Sequence, residues 1–130
     1  QSVVWLNAGS RLVYPSVFDE KERKVQLFGE GYFEVEADPE HPFSVSTSEG
    51  LRVIAYGTKF NVNAYDDEPF IEAVLEKGKI DVIRNDERIR LEPNKQVVLN
   101  KESGVFPCSA VNLERRWIGE RGGWYFEILL

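Results

Sequence analysis

At 130 residues the chain is the size of one domain and long enough to bury a proper core. Its 42% hydrophobic and 29% charged content is ordinary globular composition and argues against disorder. The net charge of −6, with lysines and arginines scattered along the chain, argues against nucleic-acid binding, which needs a basic face.

No run approaches the roughly 18 consecutive apolar residues of a membrane span, and no signal peptide is visible. Gln1 opens directly into the apolar segment Val3-Val4-Trp5-Leu6, so the chain is expected to be an excised piece of something larger.

The pattern along the chain is short strands separated by turns. Val3–Leu6 leads through Asn7-Ala8-Gly9-Ser10 into a second strand, Arg11–Tyr14, stopped by Pro15. The connection that follows is polar, with Val17 and Phe18 expected to tuck inward. A third strand, Arg23–Phe28, is expected to end at Gly29-Glu30-Gly31, and a fourth covers Tyr32–Glu36. Ala37 to Pro42 is a loop.

Phe43-Ser44-Val45-Ser46-Thr47, Leu51–Tyr56 and Thr58–Tyr65 are the clearest strands. Phe43, Val45 and Thr47 alternate with serines, and Phe60, Val62 and Ala64 alternate with polar residues, the period of a half-buried strand. Gly57 interrupts this run where the backbone needs positive φ or a kink.

Asp66-Asp67-Glu68-Pro69 is an acidic turn, followed by strands at Phe70–Leu75, Ile80–Ile83, Arg88–Leu91, Gln96–Asn100 and Val105–Phe106. The turn between Ile83 and Arg88 has an Asn85-Asp86 centre. The one predicted helix is a short segment, Ala110 to Trp117, capped by Ser109. The tail, Trp124 to Leu130, is apolar enough to lead into further structure. Regular short strands with Gly and Pro punctuation point to an all-β sandwich or barrel.

Chemistry is sparse. His41 is the sole histidine, so a multi-histidine metal site cannot be built within one chain. Asp66, Asp67 and Glu68 lack the spacing of a dedicated calcium loop, and no cofactor-binding motif is present. No nucleophile elbow accompanies His41, and no carboxylate pair stands out among the 22 acidic residues. Cys108 is alone, excludes an intrachain disulfide, and is expected to be a small buried residue. Trp5, Trp117 and Trp124 are expected mostly in the core, with a sugar-stacking platform as the alternative.

Taken in order, the motifs resemble one family. Trp5-Leu6-Asn7-Ala8-Gly9-Ser10-Arg11-Leu12, Tyr14-Pro15 with Phe18, Arg23-x-Val25-x-Leu27-x-Gly29-Glu30-x-Tyr32-Phe33-x-Val35 and His41-Pro42-Phe43-x-Val45 carry the first half. Gly57-Thr58-x-Phe60-Asn61-Val62-x-Ala64-Tyr65, Glu76-x-Gly78-x-Ile80-x-Val82 and Trp117 carry the second. The ordered set resembles the FecR family of anti-sigma regulators. Two departures stand out: Asn94 replaces the glycine of a Pro-Gly turn, and Tyr56 stands where a small aliphatic is common.

The resemblance implies a jelly-roll-like β-sandwich of many short strands, all-β and non-enzymatic. It implies a periplasmic domain covering residues 1–130, with about 117–130 leading into a following domain outside this chain. The full-length protein would be anchored in the inner membrane by a spanning helix and would hold a sigma factor through a cytoplasmic segment. It would receive its signal from a TonB-dependent outer-membrane transducer. A carbohydrate-binding module is the alternative. Some members of the family cut themselves at a Gly–Thr bond, and Gly57 and Thr58 occupy the matching position. The residue-level alternative is that Gly57 is a kink and Thr58 an ordinary strand residue.

Overall fold

The computed structural model describes residues 2–15, 17, 21–111 and 126–130. Its strands are β1 (Val3–Leu6), β2 (Arg11–Val13), β3 (Arg23–Val35), β4 (Phe43–Ser46), β5 (Arg52–Ala55) and β6 (Thr58–Ala64). They continue as β7 (Phe70–Lys77), β8 (Ile80–Arg84), β9 (Glu87–Leu91), β10 (Lys95–Asn100), β11 (Cys108–Ala110) and β12 (Phe126–Leu129). The single helical turn among the described residues is a short 3-10 turn at Ser48–Gly50. The all-β sandwich expectation holds.

The strand that organises the molecule is β3, 13 residues long. Its first half pairs with β2 and, in parallel, with β4. Its second half pairs with β1 and β6, both antiparallel. One sheet therefore runs β12-β1-β3-β6-β7-β10-β11 and the other β2-β3-β4-β5-β8-β9, with β3 common to both.

Gly29-Glu30-Gly31 is consequently not the turn that the sequence suggests. All three residues keep ladder register with β6, opposite Ala64, Asn63 and Val62. Glycine is needed here for room. Ser10 fills the space that a side chain on Gly29 would need, and the Phe33 ring lies over Gly31.

The core lies between the two sheets. Phe33, Phe43 and Phe60 are fully buried at its centre. Phe33 and Phe60 stack at 4.9 Å with planes 6° apart, and Phe43 meets Phe33 edge-on at 6.1 Å. Burial of each such ring contributes roughly 1.5–3 kcal/mol. Val45, Val62, Ala64, Ile71, Leu75 and Val82 complete the inward rows that alternation predicts.

Other expectations change. Asn61 and Asn63, read as the solvent side of β6, are 2% and 3% exposed, so both faces of this central strand are covered. Val17 is 81% exposed rather than tucked inward, and Phe18 lies outside the described residues. The strand predicted at Val105–Phe106 forms instead at Cys108–Ala110: Asn100 and Val98 of β10 already donate to the carbonyls of Val105 and Pro107 at 2.9 and 3.4 Å, but Pro107 has no amide to return and the regular ladder starts at Cys108. Ser109 and Ala110 are therefore in a strand, Val111 follows it outside any element with its amide donating to the Asn94 carbonyl, and the rest of the predicted helix, from Asn112 to Trp117, lies outside the described residues. Cys108 is exposed, since β11 is an edge strand with nothing described beyond it.

The tail is a strand of this sheet. Phe126–Leu129 pairs antiparallel with β1, and Ser2 and Leu130 exchange two backbone hydrogen bonds of 3.2 and 2.8 Å. No helix among the described residues is long and apolar enough to cross a membrane.

Candidate functional site

Gly57 and Thr58 lie at the junction of β5 and β6. Gly57 has φ +65°, the left-handed region expected from its position in the sequence. A Cβ there would stand 2.8 Å from Ala37 Cβ, so the β3–β4 loop packs directly on the glycine. Thr58 opens β6 opposite Val35 and is 3% exposed. Its Oγ1 is buried and has no hydrogen-bond partner among the described residues.

The other wall is the β7–β8 turn. Gly78, at φ +91°, lets that turn press against the Gly57–Thr58 peptide: a Cβ there would lie 2.3 Å from the Gly57 carbonyl oxygen and 3.0 Å from Thr58 Cα. The Tyr56 amide donates to the Lys79 carbonyl at 3.3 Å, closing the contact from the other side. The Gly57–Thr58 peptide is thus held between two pieces of backbone, with glycine on each side of the approach.

A cleft of about 390 Å³ opens over this peptide, lined by residues 34–37, 57–59 and Lys77. Its charged side chains are Glu34, Glu36, Lys59 and Lys77, and Lys59 reaches Glu34 at 3.7 Å. Beside it the β6–β7 register shifts between Lys59 and Phe60, a bulge that places Lys59 opposite Lys77 and Phe60 opposite Leu75. Tyr32, on β3, donates its hydroxyl to Glu76 within that irregularity. Burial, then the hydrogen bond to Glu76, pushes the Tyr32 phenol up from its ordinary value, so it stays a donor at any physiological pH.

Arg23 fixes the loop above the glycine. Its guanidinium donates to the carbonyls of His41 and Glu36 and to Ser2 Oγ, at 2.9, 3.2 and 3.2 Å. The ends of the 36–42 loop are thereby tied to β3. His41 is part of the same corner, with Nδ1 2.9 Å from Asp38 Oδ2. That contact is the first cause holding the Asp38 carboxyl below its usual range.

The remaining candidates from the sequence stay apart. His41 lies in the β3–β4 loop, and Cys108 on edge strand β11, separated from β6 in the same sheet by β10 and β7. Asp66 and Asp67 are exposed in the turn before β7. No cluster of three or more His, Cys, Asp or Glu suited to a metal occurs among the described residues. Trp5 packs its ring on Tyr32 at 5.7 Å, and Trp117 and Trp124 lie outside the described residues.

What the sequence reading missed is a buried carboxylate. Glu30 is 5% exposed and accepts from Asn7 Nδ2 at 3.0 Å and Asn61 Nδ2 at 2.8 Å. Its amide donates to Ser10 Oγ, and the Tyr65 hydroxyl donates to the Ala8 carbonyl. Asn7, Ser10, Glu30, Asn61 and Tyr65 all belong to the motifs quoted above, and the fold gathers them into one network. The available signal was their shared polarity at motif positions flanked by apolar strand residues.

Comparison with known proteins fits this architecture. The family model described as "FecR protein" matches residues 1–81, more than half of the chain. The chain belongs to the FecR family. Two crystal structures of a candidate anti-sigma factor from Parabacteroides distasonis ATCC 8503, at 1.65 and 2.50 Å, are similar to it. Each matches with a TM-score of 0.84 and 32% identity over 88% of this chain. The match covers 54% of those proteins, so this FecR chain spans about half the length of the structures it resembles. No curated protein matches it.

Proposed function

We propose that this chain is the periplasmic β domain of a membrane-anchored anti-sigma regulator. In this reading it relays a signal from a TonB-dependent outer-membrane transducer to a sigma factor held by a cytoplasmic segment. The observation that supports it most is the joint one: a FecR family match over residues 1–81 and a 0.84 TM-score to a candidate anti-sigma factor. A following domain would in this reading come after β12, which is itself a strand of this sheet. The test is topological. Alkaline phosphatase fused after Leu130 in the native full-length protein is expected to be active, because the enzyme folds only in the oxidising periplasm. An inactive phosphatase with an active cytoplasmic reporter at the same point overturns the placement. Loss of transducer-dependent induction of a sigma-controlled reporter, on deleting the transducer gene alone, tests the relay.

The Gly57–Thr58 junction supports a finer reading, self-cleavage. Thr58 Oγ attacks the Gly57 carbonyl carbon, the peptide C–N bond breaks, and the hydroxyl proton passes to the released Thr58 amine. The ester so formed is hydrolysed by water to a Gly57 carboxylate and a free Thr58 hydroxyl. Three features favour it: a left-handed glycine beside the reacting carbonyl, a buried hydroxyl with no competing hydrogen bond, and a cleft open to water above. Mass spectrometry of purified protein is expected to show two fragments that vanish in Thr58→Ala. A single intact mass for the unaltered protein overturns it.

A further inference from the structure

We infer that the free edge of β9, with the basic cleft beside it, is a docking site for an acidic, extended segment of a separate protein. The sheet path ends at β9, which pairs with β8 on one side and with no described strand on the other. A free strand edge carries a row of unpaired amides and carbonyls that an incoming extended chain can complete. β9 approaches β10 without forming a ladder, so among the described residues the sandwich is open along this seam.

The seam also holds a cavity. A cleft of about 790 Å³ opens at its Leu91 end, lined by Gly78 and Lys79 of the β7–β8 turn and by Arg90, Leu91, Lys95 and Cys108. Three cations, Lys79, Arg90 and Lys95, line it against the single carboxylate of Glu92. Neither lysine ammonium has an ion-pair partner among the described residues. Arg90 shares the buried Asp81 carboxylate with Arg88, two guanidiniums on one acid, which leaves positive charge over at the edge.

This local excess of positive charge sits on a chain whose net charge is −6. Charge complementarity therefore selects an anionic occupant, and the strand edge selects an extended backbone over a small ion. The five residues of β9 set the length of the added strand. Cys108, exposed and part of the lining, is a built-in reporter of occupancy.

The test is titration of this chain with acetyl-Glu-Val-Glu-Ile-Asp-amide and with the same peptide carrying lysine at its three acidic positions. The acidic peptide is expected to slow iodoacetamide alkylation of Cys108 and amide exchange within Glu87–Leu91. Its affinity should fall at least tenfold between 0.05 and 0.5 M salt, roughly the loss expected when several ion pairs are screened. The double variant Lys79→Glu, Lys95→Glu should weaken it similarly while keeping the thermal midpoint. If that variant does not fold, the peptide comparison and the salt dependence in the unaltered chain decide. Absence of binding below about 1 mM, equal binding of the lysine peptide, or binding without protection of β9 overturns the proposal. Competition by inorganic phosphate with β9 unprotected reduces the site to a small-anion site, and dimerisation through β9 makes a second copy the occupant; either result overturns it too.

Discussion

Replacing Gly78 by alanine should be among the most damaging single-methyl additions to this domain. The glycine has φ +91°, and the left-handed backbone alone costs an alanine about 1–2 kcal/mol. The methyl would then stand 2.3 Å from the Gly57 carbonyl oxygen and 3.0 Å from Thr58 Cα, and both obstacles are backbone rather than yielding side-chain ends. Relief requires moving the start of β6, whose Thr58 is paired with Val35 and buried. Such overpacking typically adds about 1–3 kcal/mol. Gly78→Ala should therefore cost about 2–5 kcal/mol, a large share of the 5–15 kcal/mol that stabilises an ordinary domain. Gly50→Ala is the control: its φ is +73° and nothing lies within 4 Å of an added Cβ, so only the conformational cost applies. Urea unfolding followed by tryptophan fluorescence, with midpoints compared at a common slope, measures both. If the two variants fall within about 0.5 kcal/mol of each other, the close approach of the turn to the Gly57–Thr58 peptide is wrong.

Three further perturbations follow from the same contacts. Thr58→Val keeps the shape of the side chain and removes a buried hydroxyl without a described partner, so stability should hold or rise by up to about 1 kcal/mol in urea unfolding. Glu30→Gln turns one acceptor into a donor facing Asn7 or Asn61, and should lower stability by about 1–3 kcal/mol in the same assay. Asp81 is held below the ordinary carboxyl range first by the hydrogen bond from Arg90, against the opposing effect of burial. Its contribution is therefore full above the unfolded value near about 3.9 and is lost as pH falls through the lower folded value. Urea midpoints between pH 7 and 2 should fall less steeply in Asp81→Asn than in the unaltered chain, and parallel curves would count against the assignment.

Strand positions were legible because a central sandwich strand writes its inward face every second residue. Phe43 and Val45, and Phe60, Val62 and Ala64, all point to the core as their alternation says. The turns were legible where their chemistry is specific. Asn85 and Asn94 adopt φ of +54° and +69°, and asparagine tolerates the left-handed region, which is why Asn94 can stand in for glycine. The failures share a cause, which is that local sequence does not report what packs on the other side. Gly29-Glu30-Gly31 reads as a turn until Ser10 and Phe33 are seen to need the space. Asn61 reads as solvent-facing until Glu30 is placed beside it. Cys108 reads as buried until β11 is found at a sheet edge. At the candidate site, Gly57 announced its own conformation, but Gly78 and Ala37 reach it from distant parts of the chain and only the fold reveals them.

The adjacency of Ser2 and Leu130 decides how this domain responds to tension. Val3 faces Leu129 and Leu6 faces Phe126, so the two ends leave the sheet at the same corner, running in opposite directions. A pull between them loads the β1–β12 hydrogen bonds in sequence, like the teeth of a zipper, rather than all together in shear. β12 peels first, and β1 remains clamped to β3 by its other edge. The phenylalanine stack and the Gly57–Thr58 peptide lie outside that line of force. The domain is thus mechanically a clip: it yields at one corner under a small load while its interior stays at rest.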